Sequence, residues 1–285
     1  MSSLLLSVVI PTRNEEHNLA ACISAFRSAI SEGWCEVLIV DNYSEDATQS
    51  IATTYPVRFF QQGPERSTQR NRGWKEANGL YVFFVDADMT IPAETLHELQ
   101  SRLSSPTSPD ALYIQEMRTG SGWWTRVRNF ERSFYNATCI DGLRVIRRTL
   151  LEKVGGYDET LVSCEDWDLD RRILALRPQL ALTNGHLLHN EQNLTFSRHI
   201  KKKQYYSGSF SVYLDKWNHD AVTKHQFGFF YRFFIVFFEE GKWKQSLRHP
   251  IFLLTIWAER FVIGLIFLFS RMQTCRTISR FAKNV

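Results

Sequence analysis

Short apolar runs alternate with amphipathic stretches along the first part of the chain. Four apolar runs predict strands, at residues 4–10, 36–40, 57–60 and 80–85. Between them apolar residues recur at helical spacing, first at Leu19, Phe26 and Ile30, and an arginine-rich helix is predicted after Pro64. This alternation predicts an α/β fold with a doubly wound, mostly parallel sheet and right-handed crossovers.

The pattern continues beyond residue 90 with more polar interruptions. Two helices and two strands are predicted, the helices at residues 92–103 and 120–135 and the strands at 111–117 and 143–147. A short helix then ends at Gly155, and another begins near Glu165.

Two of these helix starts are rich in acidic residues. Asn14 is the predicted N-cap of the first helix, with Glu15 and Glu16 in its first turn, where the helix dipole favours carboxylates. Near residue 165, Asp168 and Asp170 are assigned in the same way to capping and to the dipole.

The strand at residues 80–85 is followed by two carboxylates, Asp86 and Asp88. Its lack of polar alternation indicates a strand covered on both faces, and ligands of open α/β sheets bind beyond the carboxyl ends of such strands. Two hard oxygen ligands suit Mg²⁺ or Mn²⁺. The alternative is that they only begin a turn before the helix at Pro92, because Asp is a common turn former.

Composition and charge divide the chain into two parts. The 285 residues predict one elaborated α/β domain, residues 1–197, and a smaller extension, residues 198–285. The first part carries 19 Lys and Arg against 25 Asp and Glu, whereas the second carries 15 against 5. A basic C-terminal third indicates an anionic surface or a phosphate-bearing partner, or a solvated basic face. Five scattered cysteines without Cys-x-x-Cys spacing, and a start unlike a signal peptide, predict a cytoplasmic protein.

The first strand–helix turn excludes two classes of nucleotide-binding protein. A dinucleotide-binding domain needs Gly-x-Gly-x-x-Gly there, but the first glycine of the chain is Gly33. The lysine of a phosphate-binding loop is also missing from this turn. A bound nucleotide would therefore be held by side chains and a metal ion.

Four motifs occur in one order, at residues 9–15 (VIPTRNE), 40–46 (VDNYSED), 86–88 (DAD) and 165–171 (EDWDLDR). Further matching stretches are residues 69–73 (QRNRG) and 155–159 (GGYDE). Each motif alone is weak, but the ordered set resembles the family 2 glycosyltransferases of the Rossmann-like GT-A fold, over about residues 5–200.

The resemblance implies a binding site for a nucleotide sugar in the first half of the chain. Pro11 and Glu15 would line the base and ribose pocket, and Asp41 would hydrogen-bond the base. Arg13 and Arg70 are also implied among the residues that bind the nucleotide sugar.

The resemblance further implies a Mn²⁺ or Mg²⁺ cofactor and a catalytic carboxylate. Asp88 would ligate the divalent ion on the diphosphate, and Asp86 would hold the ribose or the ion. His189 would reach the metal or the diphosphate, although a lone histidine is often structural. Asp166 would be the catalytic base of an inverting transfer, and Glu165 would orient or replace it.

Elementary chemistry requires such a set of groups for transfer of a sugar. Displacement of a nucleoside diphosphate places negative charge on the leaving oxygen, which a divalent ion stabilises, and a carboxylate can take the proton of an acceptor hydroxyl. The expected partners are a nucleoside-diphosphate sugar and a glycan or lipid-linked sugar acceptor, and not nucleic acid. The alternatives are a polyprenyl-phosphate acceptor, which needs less help from a base, and a non-catalytic sugar-binding protein of the same fold. A sugar-phosphate nucleotidyltransferase is disfavoured because its glycine-rich loop is absent.

Two long apolar segments, residues 227–238 and 251–269, follow a basic cluster at residues 198–203. The second segment approaches the roughly 20 residues that span a bilayer, but Glu259 and Arg260 stand at its middle, and basic residues flank both of its ends. We expect helices that lie on the inner face of the cell membrane, with their cations on an anionic membrane surface. A buried or oligomer-forming helical pair and a true span are the alternatives.

Overall fold

A computed structural model describes residues 4–190 and 210–262, and within these the strands form one eight-stranded sheet. The strands are β1 Leu6–Thr12, β2 Cys35–Asp41, β3 Arg58–Gln61, β4 Tyr81–Phe84, β5 Met89–Thr90, β6 Ala111–Arg118, β7 Val145–Arg147 and β8 Leu180–His189. Their order across the sheet is β3-β2-β1-β4-β7-β6-β8-β5.

Short helices connect these strands and continue beyond them. Up to residue 190 they are α1 Leu19–Ser24, α2 Arg27–Ser31, α3 Thr48–Ala52, α4 Arg66–Glu76, α5 Ala93–Leu103, α6 Trp123–Ser133, α7 Arg148–Val154 and α8 Glu165–Leu174. After residue 210 come α9 Phe210–Lys216, α10 Ala221–Phe227, helical turns over Tyr231–Ile235, Val236–Phe238 and Glu239–Gly241, α11 Trp243–Arg248 and α12, residues 250–262.

The predicted α/β fold class is confirmed, and its first half is parallel. β1 pairs in parallel with β2 and β4, and β2 pairs in parallel with β3. The second half is mixed, because β7 runs antiparallel to β4 and β6, and β5 runs antiparallel to β8. β6 and β8 are again parallel.

The central strand β4 is covered on both faces, as its sequence predicts. Phe83 belongs to the core on one face of the sheet and Phe84 to the core on the other, and each is at most 1% exposed. This double burial fixes the end of β4, and the segment with Asp86 and Asp88 turns away directly after it.

The prediction that Asn14 caps the first helix is wrong. Asn14 has a φ of 54°, and α1 begins at Leu19. The reason is a set of hydrogen bonds from another loop: the Asn14 amide donates to Ser44 Oγ, and the Glu15 amide donates to Thr48 Oγ1, both at 2.8 Å. These bonds hold the segment as a turn, so the helix starts later than the pattern of residue types suggests.

Residues 210–262, here called the C-terminal extension, pack on α6. Phe130 of α6 and Phe134, directly after the helix, lie in one apolar cluster with Phe237 and Ile256. The two charged residues at the middle of the second apolar segment are paired there. Glu259 lies 3.2 Å from Arg128 Nη1, and Arg260 Nη2 lies 2.6 Å from Glu131 Oε1.

Within residues 4–190 and 210–262, no helix combines the length and the apolar character that a membrane crossing requires. The basic cluster at residues 198–203, the predicted domain boundary at residue 198 and the end of the second apolar segment, residues 263–269, lie outside the described residues.

Candidate active site

Charged side chains gather at the edge of the sheet where the parallel strands end. β1 ends at Thr12 and β2 at Asp41, and Asp86 follows the end of β4. Because parallel strands present their carboxyl ends at the same edge, these residues come together there. Helix α8 contributes Glu165 and Asp166 from its first turn.

Arg70 of α4 joins the two groups of carboxylates. Its side chain is 1% exposed, and its two terminal nitrogens lie 2.9 Å from Asp86 Oδ1 and 2.9 Å from Asp166 Oδ1. Burial alone would lower the pKa of Arg70, but the carboxylates of Asp166 and Asp86 raise it. Burial alone would likewise raise the pKa of Asp86, but Arg70 and Arg144 hold it well below its usual range. The site therefore contains a buried guanidinium with a carboxylate on each side.

Asp166 keeps one oxygen available. Oδ1 accepts hydrogen bonds from Arg70 Nη1 and, at 3.2 Å, from the hydroxyl of Tyr157. No hydrogen bond from the described part of the chain reaches Oδ2, and the side chain is 37% exposed. A carboxylate that is fixed through one oxygen and open at the other has the arrangement of a general base.

Glu165 is placed differently from its neighbour. Its side chain is 5% exposed and lies 3.3 Å from Arg66 and 3.5 Å from Arg70. Burial and the carboxylate of Asp166 raise the pKa of Glu165. This position suits the orienting role implied for Glu165 more than direct contact with a substrate.

Asp88 and His189 are brought together by the pairing of β5 with β8. His189 is the register partner of Met89, and the Asn190 amide donates a 2.8 Å hydrogen bond to the carbonyl of Asp88. As a result His189 Nε2 lies 3.0 Å from Asp88 Oδ2. Backbone pairing thus fixes both side chains, which local sequence could not show.

This pair fits a divalent cation. Neighbouring octahedral ligands at about 2.1 Å from an ion lie about 3.0 Å apart, and Mg²⁺ or Mn²⁺ is commonly held by one or two carboxylates with substrate phosphates and water. The described residues contain no cluster of three or more metal-ligating side chains. Asp88 and His189 would therefore supply part of a coordination shell that the diphosphate completes.

Asp41 is the last residue of β2 and lies buried at this edge of the sheet. Its carboxylate is fully buried, and it accepts hydrogen bonds from Thr12 Oγ1 at 2.8 Å, from Ser44 Oγ at 2.5 Å and from the Ser44 amide at 2.8 Å. Gln69 Nε2 donates to the carbonyls of Thr12 and Val40. These bonds tie the ends of β1 and β2 together, and the base contact implied for Asp41 stays a prediction.

The other residues implied for the nucleotide lie around the end of β1. Pro11 is buried in the strand opposite Val40, whereas Arg13 is exposed in the turn that follows. Glu15 accepts a 3.0 Å hydrogen bond from Asn18. Burial, and the negative charges of Asp88 and Asp86, raise the pKa of Glu15, which places it on the same side of the site as the Asp-x-Asp segment.

Sequence reasoning missed three contributors to the charge network, Glu116, Arg144 and Tyr157. Arg144 lies 3.8 Å from Asp86, and its Nε donates to Glu116 Oε1 at 3.0 Å. A signal was present for two of them, because Glu116 and Arg144 are charged residues within predicted strands. Tyr157 was noted only as part of a matching stretch.

The chain is similar to known proteins in family, sequence and structure. Residues 7–155 match the family described as Glycosyl transferase family 2, and residues 133–234 match the one described as Glycosyltransferase like family 2. The chain is 35% identical over 155 residues to the dolichol-phosphate mannosyltransferase of Pyrococcus furiosus, which covers 52% of this chain and 42% of the relative. It is 31% identical over 181 residues to glycosyltransferase AglE of Haloferax volcanii, which covers 56% of this chain and 58% of the relative. The chain thus spans only about half the length of these relatives.

Solved structures share the fold at low sequence identity. TarS 1–349 of S. aureus, in complex with UDP-GlcNAc, has a TM-score of 0.54 at 22% identity over 67% of this chain and 60% of that one. The mannosyltransferase PcManGT from Pyrobaculum calidifontis, in complex with GDP-Man and Mn²⁺, has a TM-score of 0.53 at 18% identity over 91% of this chain and 80% of that one. Both are glycosyltransferases, and the GT-A fold that they represent is the one predicted from the motifs.

Proposed function

The chain belongs to glycosyl transferase family 2, and we propose that it is an inverting, metal-dependent glycosyltransferase that moves a sugar from a nucleoside-diphosphate sugar to a hydroxyl acceptor. The acceptor would be a glycan or a lipid-linked sugar. The observation that carries this proposal is the position of Arg70, which holds Asp86 on the donor side and Asp166 on the acceptor side at 2.9 Å each.

Asp166 is the catalytic base in this proposal. As the acceptor oxygen attacks the anomeric carbon, its proton passes to Asp166 Oδ2, and the bond from the anomeric carbon to the diphosphate breaks. A positioned carboxylate contributes about 10²–10⁴-fold to such a step. Arg70 and Tyr157 orient the carboxylate through Oδ1, and the buried Glu165 lies against Arg70.

The donor is held by the end of the sheet and by Asp88 and His189. These two residues would hold Mn²⁺ or Mg²⁺, which, when bound, stabilises the charge that develops on the leaving diphosphate. Pro11, Arg13, Glu15 and Asp41 surround the end of β1 where the nucleoside would lie. Structures of relatives in complex with UDP-GlcNAc, and with GDP-Man and Mn²⁺, support a nucleotide sugar as the class of donor.

A membrane surface is the proposed location, on the cytoplasmic face. The C-terminal extension carries large apolar side chains that are each more than half exposed, namely Phe229, Phe230, Leu247, Ile251, Leu254 and Phe261. Exposed cations occur in the same extension, at Lys224 of α10 and at Lys244 and Arg248 of α11, which also carries Leu247. A helical segment with exposed apolar side chains and cations suits the interface of an anionic bilayer.

Vesicle sedimentation tests this location with the full chain. We expect it to sediment with phosphatidylglycerol vesicles and to be released by high salt or alkaline carbonate, and a Phe230→Ser/Leu254→Ser double variant should bind less. Leu176→Ser/Leu180→Ser is the control, because these exposed leucines lie outside the extension. Sedimentation that resists carbonate would indicate a membrane-spanning helix. A lack of binding would indicate that these helices pack within the protein or form an oligomer.

The donor assignment is tested by a thermal-shift panel of UDP, GDP and dTDP sugars with and without Mn²⁺. A ligand that binds only the folded state raises its stability, so at least one nucleotide sugar should raise the melting temperature, and Mn²⁺ should enlarge that shift. Release of the nucleoside diphosphate from the same donor would establish turnover. If no nucleotide sugar stabilises the protein, a non-catalytic member of the fold becomes the better description.

A further inference from the structure

A cavity of about 140 Å³ lies beside Asp166. Its wall is built from the end of β6, from α6, from the segment before β7 and from the first turn of α8, and it includes Glu116, Arg132, Gly142 and Trp167. A cavity of about 150 Å³ in another protein holds one benzene ring. The space is therefore sufficient for a single six-membered ring next to the carboxylate proposed as the base.

The cations in this wall are already paired with protein carboxylates. Arg144 Nε lies 3.0 Å from Glu116 Oε1, and Arg132 Nη2 lies 2.6 Å from Asp141 Oδ1. Burial alone would raise the pKa of Glu116, but Arg144 and Arg132 lower it to about 2, so the pairs stay ionised.

The charge of the wall decides which acceptor it suits. Two guanidinium groups face three carboxylates there, since Asp166 adds to Glu116 and Asp141. Both guanidinium groups of the wall are paired, and Asp166 is itself paired with Arg70, so a phosphate would have to displace a carboxylate from a buried guanidinium, which is costly. An uncharged ring with hydroxyl groups can hydrogen-bond to the same pairs without disturbing them.

Trp167 supplies an apolar surface to the same cavity. Its ring packs edge-on against Tyr213 of α9, at 6.2 Å between centroids, and against Phe227 of α10, at 5.6 Å. The C-terminal extension thereby holds Trp167 in place. Carboxylates beside an aromatic ring match the two kinds of surface on a sugar, its hydroxyl edge and its apolar C–H face.

We propose that this cavity receives the acceptor as a sugar ring whose hydroxyl meets Asp166 Oδ2, with Gly142 and Trp167 determining which ring fits. The inference rests on the proposed function and names its acceptor class as a sugar hydroxyl, in place of a lipid phosphate. In the transfer, the acceptor oxygen forms the new bond to the anomeric carbon and its proton goes to Asp166. The nucleoside diphosphate leaves with the electron pair of the broken bond.

Ligand-observed saturation-transfer NMR on the full chain tests this proposal without a donor. The probes are methyl glycosides of common hexoses and N-acetylhexosamines, and farnesyl phosphate. At least one glycoside should bind, and Gly142→Val should weaken it tenfold or more, because a Cβ at Gly142 would lie 3.1 Å from Asp166 Cβ and narrow the cavity. Gly122→Val is the matched control, since no atom lies within 4 Å of a Cβ there.

Trp167→Leu is a second variant, for use if Gly142→Val does not fold, and it should weaken glycoside binding by a similar factor. The proposal is overturned if no glycoside binds, if farnesyl phosphate binds more tightly than every glycoside, or if the folded variants bind glycosides as the unmodified protein does. Donor-induced stabilisation, measured on the same samples, reports on the proposed function separately. Loss of glycoside binding with an intact donor response would therefore reject only the acceptor assignment.

Discussion

His189 Nε2 lies 3.0 Å from Asp88 Oδ2, although 101 residues separate the two in the chain. The antiparallel pairing of β5 with β8 creates this contact. It places two potential metal ligands next to each other, one from the turn after β4 and one from β8, and its consequences can be measured.

Asp88→Asn should remove the Mn²⁺-dependent part of donor binding while the fold stays intact, because an amide keeps the shape but loses the charge that attracts the cation. His189→Ala should act in the same direction, and Asp86→Asn less completely. Thermal shift with donor, with and without Mn²⁺, measures the effect. Glu152→Gln, at an exposed helical pair with Arg148, is the control. Retention of the full Mn²⁺ response by the Asp88 variant would contradict the metal site.

Arg70→Met should lower the free energy of unfolding by about 3 kcal/mol, since it removes the buried guanidinium from between the carboxylates of Asp86 and Asp166, which are only partly exposed. Arg72→Met in the same helix should cost less than about 1 kcal/mol, because Arg72 is 46% exposed and its ion pair with Glu76 lies at the surface. Urea unfolding of both variants gives the comparison. Equal losses would show that the buried guanidinium is not the organising charge of the site.

Asp170→Asn should change how stability depends on pH. Burial raises the pKa of Asp170 to about 7 from 3.8, so its favourable contribution is complete below about pH 4 and is lost as the pH rises toward 7. Across this range, the contribution of Asp170 makes the free energy of unfolding decrease as the pH rises. In the variant this slope should be smaller by about 1.4 kcal/mol per pH unit. Asp158→Asn is the control. The pKa of Asp158 is lowered to about 2, so this residue changes the pH dependence of stability only below about pH 4. Parallel curves for the Asp170 variant and the unmodified protein would refute this assignment.

Local sequence was sufficient for the first half of the fold. The apolar runs that became β1, β2 and β4 are buried, whereas β3 at the edge is only partly buried, and all four strands pair in parallel. The motifs at their ends meet at one edge of the sheet. The local sequence pattern was not sufficient to predict β8. That strand contains Asn184-Gly185 in its middle, which is typical of a turn, and its pairing with β5 and β6 depends on residues far away in sequence.

The charges were harder to predict than the strands, because burial depends on tertiary packing. Asp168 was assigned to capping and the helix dipole, but it is fully buried and paired with Arg172 and Lys216. Arg70 appeared in the sequence as one arginine of an arginine-rich helix. Only the fold shows that its neighbour Arg72 is exposed while Arg70 joins both halves of the site.

The most direct test of the proposed mechanism is the rate of sugar transfer by Asp166→Asn, measured with a donor found by thermal shift and a glycoside acceptor found by NMR. Because the amide cannot take the acceptor proton, we predict that kcat falls by about 10²–10⁴-fold while the donor-induced thermal shift stays unchanged. Asp215→Asn, at a side chain that is 79% exposed, should transfer at the normal rate. Near-normal transfer by Asp166→Asn would contradict its role as the base and would favour an acceptor that is already anionic.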